Sequence, residues 1–115
     1  MQLQTTQDVL QVSLQYELYG QLVAQLNKDF RLANMDFDQP LDIAPKDLKV
    51  QLQDIIFNLI QNAFADYLNM LYIIDVPERE IKQLDGSDTV LLSEQVAFLI
   101  LKREWQKVWF RHQYK

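Results

Sequence analysis

Val9, Val12, Tyr16, Tyr19, Val23, Leu26 and Phe30 follow one another at alternating steps of three and four, which draws a heptad seam along one helix face. Gln7, Gln11, Gln21 and Gln25, with Glu17 and Lys28, fall mostly on the other side, and Thr5 with Asp8 offers a capping box. A helix is therefore expected over about 6–32. Gly20 lies off the seam, where close approach of a neighbour would account for it. The pattern breaks in "ANMDFDQPLDIA", residues 33–44, which reads as a connecting loop. Pro45 suits a first helical turn and Asp47 the positive helix end, opening a second helix over about 45–74, the longest element. Pro77 biases Val76 away from helical angles and stops it; Asp75 and Glu78 then cap a short helix over about 77–84. Beyond the turn at Gly86 a last helix is expected over about 88–112, with Leu91, Phe98, Leu101, Trp105, Val108 and Trp109 along one face. The elements predict one all-α domain, an antiparallel bundle of three long helices plus one short helix.

Composition agrees. With two Gly and three Pro in 115 residues there is little punctuation for many short strands, and 49% hydrophobic residues suffice for a core. Cysteine is absent, which excludes disulfides and thiol chemistry. The start, "MQLQTTQDV", lacks a basic region followed by an apolar one. The longest apolar run, Val96 to Leu101, is far short of the roughly 20 residues that span a bilayer. A soluble, cytoplasmic chain with no transmembrane segment is the expectation. The net charge of −5 is uneven: Lys102, Arg103, Lys107, Arg111 and Lys115 against Glu104 put +4 on the last 14 residues, leaving −9 on residues 1–101.

Candidate chemistry is sparse. "DLKVQLQDIIFNLIQNAFADY", Asp47 to Tyr67, resembles the asparagine-bearing helix of the histidine-kinase-like ATPases, and the resemblance implies magnesium and phosphate contacts for Asn58 and Asn62. That family also uses a DxGxG-type box and a glycine-rich lid, whereas only Gly86 follows Asn62 here. On a helical wheel Asn58 and Asn62 share a polar arc with Gln51, Asp54, Gln61 and Asn69, opposite Leu52, Ile56, Leu59 and Tyr67, so they read as a solvated stripe. "MLYIID" is similar to a Walker B strand, but no GxxxxGK[ST] accompanies it, and Asp75 is assigned to capping. Asp36, Asp38 and Asp42 alternate like hard-cation ligands. Pro40 occupies one such position and the glycine and distal Glu of an EF-hand are missing, so a solvated acidic loop and no metal are expected. His112 is the only histidine, and no Asp/Glu pair stands on an apolar face where burial would raise a pKa. No catalytic residue and no cofactor are expected.

The end, "REWQKVWFRHQYK", shares Trp109–Phe110 with the recognition helix of homeodomains, to which it is similar over a few residues; His112 stands where that family has its adenine-reading Asn. Two readings compete for Lys102, Arg103, Trp105, Lys107, Trp109, Arg111 and His112. One is a basic aromatic surface for nucleic acid. The other, preferred here, is a core edge of Trp105, Val108 and Trp109 with snorkelling cations around it. By elimination the expected function is a non-enzymatic protein–protein interaction module, a small adaptor, regulator or immunity-type protein; a nucleic-acid-binding module is the alternative. Apolar residues cover most of the circumference of helix 45–74 and of residues 90–101, more than three helices bury. A homodimer is therefore expected, with Phe57, Phe64 and Leu68 as interface residues.

Overall fold

A computed structural model describes residues 2–114. Six helices pack on one another: α1 (Thr6–Gln15), α2 (Tyr19–Leu32), α3 (Pro45–Asn62), α4 (Phe64–Ile74), α5 (Glu78–Lys82) and α6 (Thr89–Gln113). No strand occurs among the described residues, and the fold is the all-α bundle that periodicity predicted. At its centre lies α6, touching α1, α2, α3 and α4. Val96, Ala97, Ile100, Leu101 and Val108 on α6 meet Leu48, Leu52 and Ile56 of α3, Leu22, Leu26 and Phe30 of α2 and Met70 and Ile74 of α4 in one continuous core.

Several caps are the ones the sequence advertised. Asp8 N–H donates to Thr5 Oγ1 and Thr5 N–H to Asp8 Oδ2, both at 3.1 Å, closing the capping box. Pro45 opens α3, and Asp88 Oδ1 accepts from Leu91 N–H at 3.1 Å at the start of α6.

Two expected long helices are each divided. Helix 6–32 breaks at Tyr16–Leu18, where Glu17 takes a left-handed φ of 57°, Leu18 N–H reaches Ser13 C=O at 2.8 Å and Glu17 N–H reaches Leu14 C=O at 3.1 Å. This is a Schellman motif. Asn34 ends α2 and Asp75 ends α4 in the same way, with φ of 60° and 68°. None of the three left-handed positions is glycine, so the usual stop signal is missing from the sequence. Gly20 has negative φ, and a Cβ there would sit 3.9 Å from Leu41 O, an ordinary contact; close approach does not explain it.

Helix 45–74 breaks at Ala63, whose φ of −151° and ψ of 61° are non-helical. Unbroken it would measure about 45 Å at 1.5 Å per residue. The molecule extends 38 Å along its longest axis, so a straight rod would carry Tyr67–Ile74 off the body. The corner returns Tyr67, Met70, Leu71 and Ile74 to the core instead. Asp75, expected to cap the short helix, closes α4; Pro77 precedes α5 and no side chain caps it.

The loop between α2 and α3 is ordered by specific bonds. The Asn27 amide brackets the Gln39 backbone with two bonds of 2.9 Å, Tyr19 Oη donates to Ile43 C=O at 2.6 Å, and Phe37 packs on Phe30 with ring centroids 4.5 Å apart. Burial and the nearby Asp47 charge push the Tyr19 hydroxyl up to about 12.

Candidate functional site

The most polar feature of the interior joins α2 to α6. On α2 the row Leu22, Gln25, Leu26, Asp29, Phe30 faces inward, and on α6 the row Ile100, Leu101, Glu104, Trp105, Val108 faces it; all ten are buried. Glu104 is wholly inaccessible and Asp29 is 5% exposed. Lys107 Nζ bridges them, 2.7 Å from Asp29 Oδ2 and 3.0 Å from Glu104 Oε1. Gln25 Nε2 donates to both Asp29 oxygens at 3.2 Å, and its Oε1 accepts from Arg111 Nη1 at 2.8 Å.

Burial pushes the Asp29 carboxyl up, but hydrogen bonds from Glu104, Lys107 and Gln25, with the Lys107 charge, outweigh it and hold Asp29 below the ordinary carboxylate range. Glu104 goes the other way. Burial, the hydrogen bond to Asp29 and the Asp29 charge push it up to about 9, and Lys107 offsets only part of this. The geometry explains the difference. As two carboxylates the pair leaves neither Glu104 oxygen with a well-directed donor: Lys107 Nζ approaches Oε1 to 3.0 Å without hydrogen-bond geometry, and Oε2 faces no donor. A proton on Glu104 makes it a donor to Asp29, and one anion then remains against one cation.

This corrects two expectations. A carboxyl pair does stand where burial raises a pKa, because its members, 75 residues apart, meet only through packing of α2 on α6. Gln25, placed with the solvated glutamines, is buried at 7% exposure as the relay between Asp29 and Arg111. Glu104 was findable in outline: it interrupts the row Ile100, Glu104, Val108 at helical spacing, a charge on the core side. A shared proton is the electrostatics of an acid–base dyad. The hollows described next are lined by neither residue, so the pair as folded is a clamp between two helices.

The surface carries two further features. Phe64, Leu68 and Tyr72, at steps of four on α4, are 54%, 50% and 81% exposed and form a stripe. Beside it, a hollow of about 390 Å³ between α4 and α5 is lined by Leu68, Leu71, Tyr72, Val76, Pro77 and Ile81, with Asp75 and Glu78 as its charges. Phe57 belongs elsewhere. The expected interface placed Phe57, Phe64 and Leu68 on one flank of a continuous helix; the corner at Ala63 leaves Phe57 on α3, half-buried over a separate hollow with Val90 and Glu94.

The C-terminal half of α6 is divided. Trp105 is 6% exposed and belongs to the core, and Trp109 is half-buried between Trp105, Tyr16 and the His112 ring, with centroid separations of 5.7, 4.8 and 5.7 Å. Lys102 is half-buried 3.7 Å from Glu80, with its ammonium 5.9 Å from the Phe98 ring centre. Arg103, Lys107 and Arg111, at steps of four, line a shallow hollow of about 450 Å³ with Gln106 and Phe110. Arg103 Nη2 is 3.2 Å from Asp75 Oδ2 and its Nε donates to Asp75 C=O at 3.0 Å. Phe110 and Tyr114 pack on each other with tilted rings, centroids 4.7 Å apart, and are 64% and 76% exposed.

Asn58, Asn62, Gln61 and Asn69 are exposed, and Asn58 donates to Asp54 C=O at 3.2 Å, as a solvated stripe does. Asp36, Asp38 and Asp42 are exposed as well; among the described residues no three metal-ligating side chains converge. No helix among them is long and apolar enough to cross a membrane. Comparisons with protein-family models, with curated proteins and with solved structures find no match to this chain.

Proposed function

We propose that this chain is a non-enzymatic protein-interaction module, a small adaptor, regulator or immunity-type protein, that works as a homodimer. The observation that carries this reading is the stripe of Phe64, Leu68 and Tyr72 beside the apolar α4–α5 hollow. A soluble protein seldom leaves such a contiguous patch uncovered, and a two-fold contact between identical chains closes it without growing into fibres. The alternative, nucleic-acid binding, retains Phe110, Arg111 and His112 but loses Trp105 to the core and has Lys107 engaged by Asp29.

Sedimentation equilibrium over micromolar concentrations tests the proposal. The unmodified chain is expected at twice its 13.7 kDa, and Leu68→Glu, at a position half open to solvent, is expected to give a folded monomer. A wild-type monomer at every concentration overturns it.

A further inference from the structure

The exposed row on α4 reads the same from either end: ring, leucine, ring, with Phe64 and Tyr72 at equal steps of four about Leu68. Phe64 is held in place from beneath, its ring centroid 5.3 Å from that of the buried Tyr67. Rows at steps of four are the ridges by which helices most often interlock, each lying in the groove beside the other. A shallow side for such a groove is present, because Ala65, small and exposed, stands about 60° around the helix from Leu68 at 100° per residue.

The charges around this ridge are already answered within the chain. Asp75 lies 3.2 Å from Arg103, Glu78 3.1 Å from Lys82 and Glu80 3.7 Å from Lys102, which leaves Arg79 as the one α5 charge without an ion pair among the described residues. Asp66 stands about 160° from Leu68, on the far side of α4. The face is therefore close to neutral. Neither a nucleic acid nor a strongly charged peptide meets a field of counter-charge on it, so selection falls to shape and apolar area. A ridge that is its own reverse fits a second copy of itself after a half-turn, with every contact made twice. The area agrees. A standard face of about 800 Å² per partner is about 57% apolar, or roughly 450 Å². Phe64, Leu68 and Tyr72 expose on the order of 400 Å², Ala65 and Pro77 add to it, and Asn69, Asp75 and Glu78 form a polar rim.

We infer that two copies pair α4 against α4, antiparallel, about a two-fold axis beside Leu68, so that Phe64 of each protomer lies against Tyr72 of the other. This rests on self-association and adds its geometry. Phe64, Leu68 and Tyr72 are all exposed in the single chain, so replacing any of them leaves the core untouched.

The chain has no cysteine, so thiols introduced into the full chain report the geometry. Under mild oxidation Leu68→Cys is expected to give a disulfide-linked dimer, since its two copies meet at the axis. Phe64→Cys and Tyr72→Cys are each expected to stay unlinked alone, because each lies four residues from the axis and its two copies stand about 12 Å apart, and to link when mixed with each other. In sedimentation equilibrium Phe64→Ala and Tyr72→Ala are each expected to weaken the dimer about tenfold or more, and Phe110→Ala to leave it unchanged. A rise in salt from about 0.05 to about 0.5 M is expected to change the affinity less than about threefold. A wild-type dimer that dissociates with Leu68→Glu, but in which the Leu68→Cys or the mixed link is absent or Phe64→Cys links to itself, overturns the antiparallel pairing and leaves self-association standing. Loss of the dimer with salt or with Phe110→Ala overturns the pairing as well. A wild-type monomer overturns both.

Discussion

Replacing Glu104 by Gln should stabilise the protein at neutral pH and flatten its pH dependence. In the folded chain Glu104 keeps a proton up to about pH 9, whereas an unfolded glutamate releases it near 4.5. Folding at pH 7 therefore takes up a proton. A folded-state pKa above the unfolded one means that the stability is complete below pH 4.5 and is lost as pH rises toward 9. At pH 7 the interval above 4.5, at 1.36 kcal/mol per unit, amounts to roughly 3 kcal/mol. That is a large part of the 5–15 kcal/mol typical of a domain. Gln is neutral in both states and keeps the shape: its amide donates to Asp29 as the acid does, and its carbonyl faces Lys107. Urea unfolding at constant ionic strength, followed by tryptophan fluorescence at pH 5, 6, 7 and 8, measures the difference. The two proteins should differ by less than about 1 kcal/mol at pH 5, diverge by about one proton's worth, ~1.4 kcal/mol per unit, and differ by roughly 3 kcal/mol at pH 7. Parallel curves, or a variant less stable than the parent at pH 7, would mean that Glu104 is ionised and held by Lys107, and would refute the shared proton.

Glu17→Gly should raise the unfolding free energy by about 1 kcal/mol, since the left-handed position between α1 and α2 costs a side-chain-bearing residue that much; a lower urea midpoint counts against the Schellman turn. Trp105→Ala should destabilise by about 3–5 kcal/mol, the range for emptying a buried aromatic site, and an unchanged midpoint in a chemical denaturation would return Trp105 to the surface.

The limits of the sequence show most clearly at the helix breaks. Pro77 announced the end of α4, and the chain does turn there. Glu17 and Ala63 announced nothing. A glutamate is tolerated at φ 57° because Leu18, Leu22 and Val23 are then buried, so the cost is met by packing elsewhere in the chain. At Ala63 the periodic apolar row runs through the corner without interruption, because the register of a bent helix and of a straight one is the same. Only the 38 Å length of the body distinguishes them.

What the sequence determined by itself is what depends on neighbours within a turn or two: helices rather than strands, the Thr5–Asp8 box, the Pro45 and Asp88 starts, the solvated asparagine stripe and the inward face of α6. Those follow from 3.6-residue periodicity and local hydrogen bonding. Tertiary structure alone decided the partners. It joined Asp29 to Glu104 through Lys107, made Gln25 a relay, separated Phe57 from Phe64 and Leu68, and tied the end of α4 to α6 through Asp75 and Arg103. Charge and burial act through space, over distances that sequence separation does not encode, so a carboxylate acquires its proton only once the helices have packed.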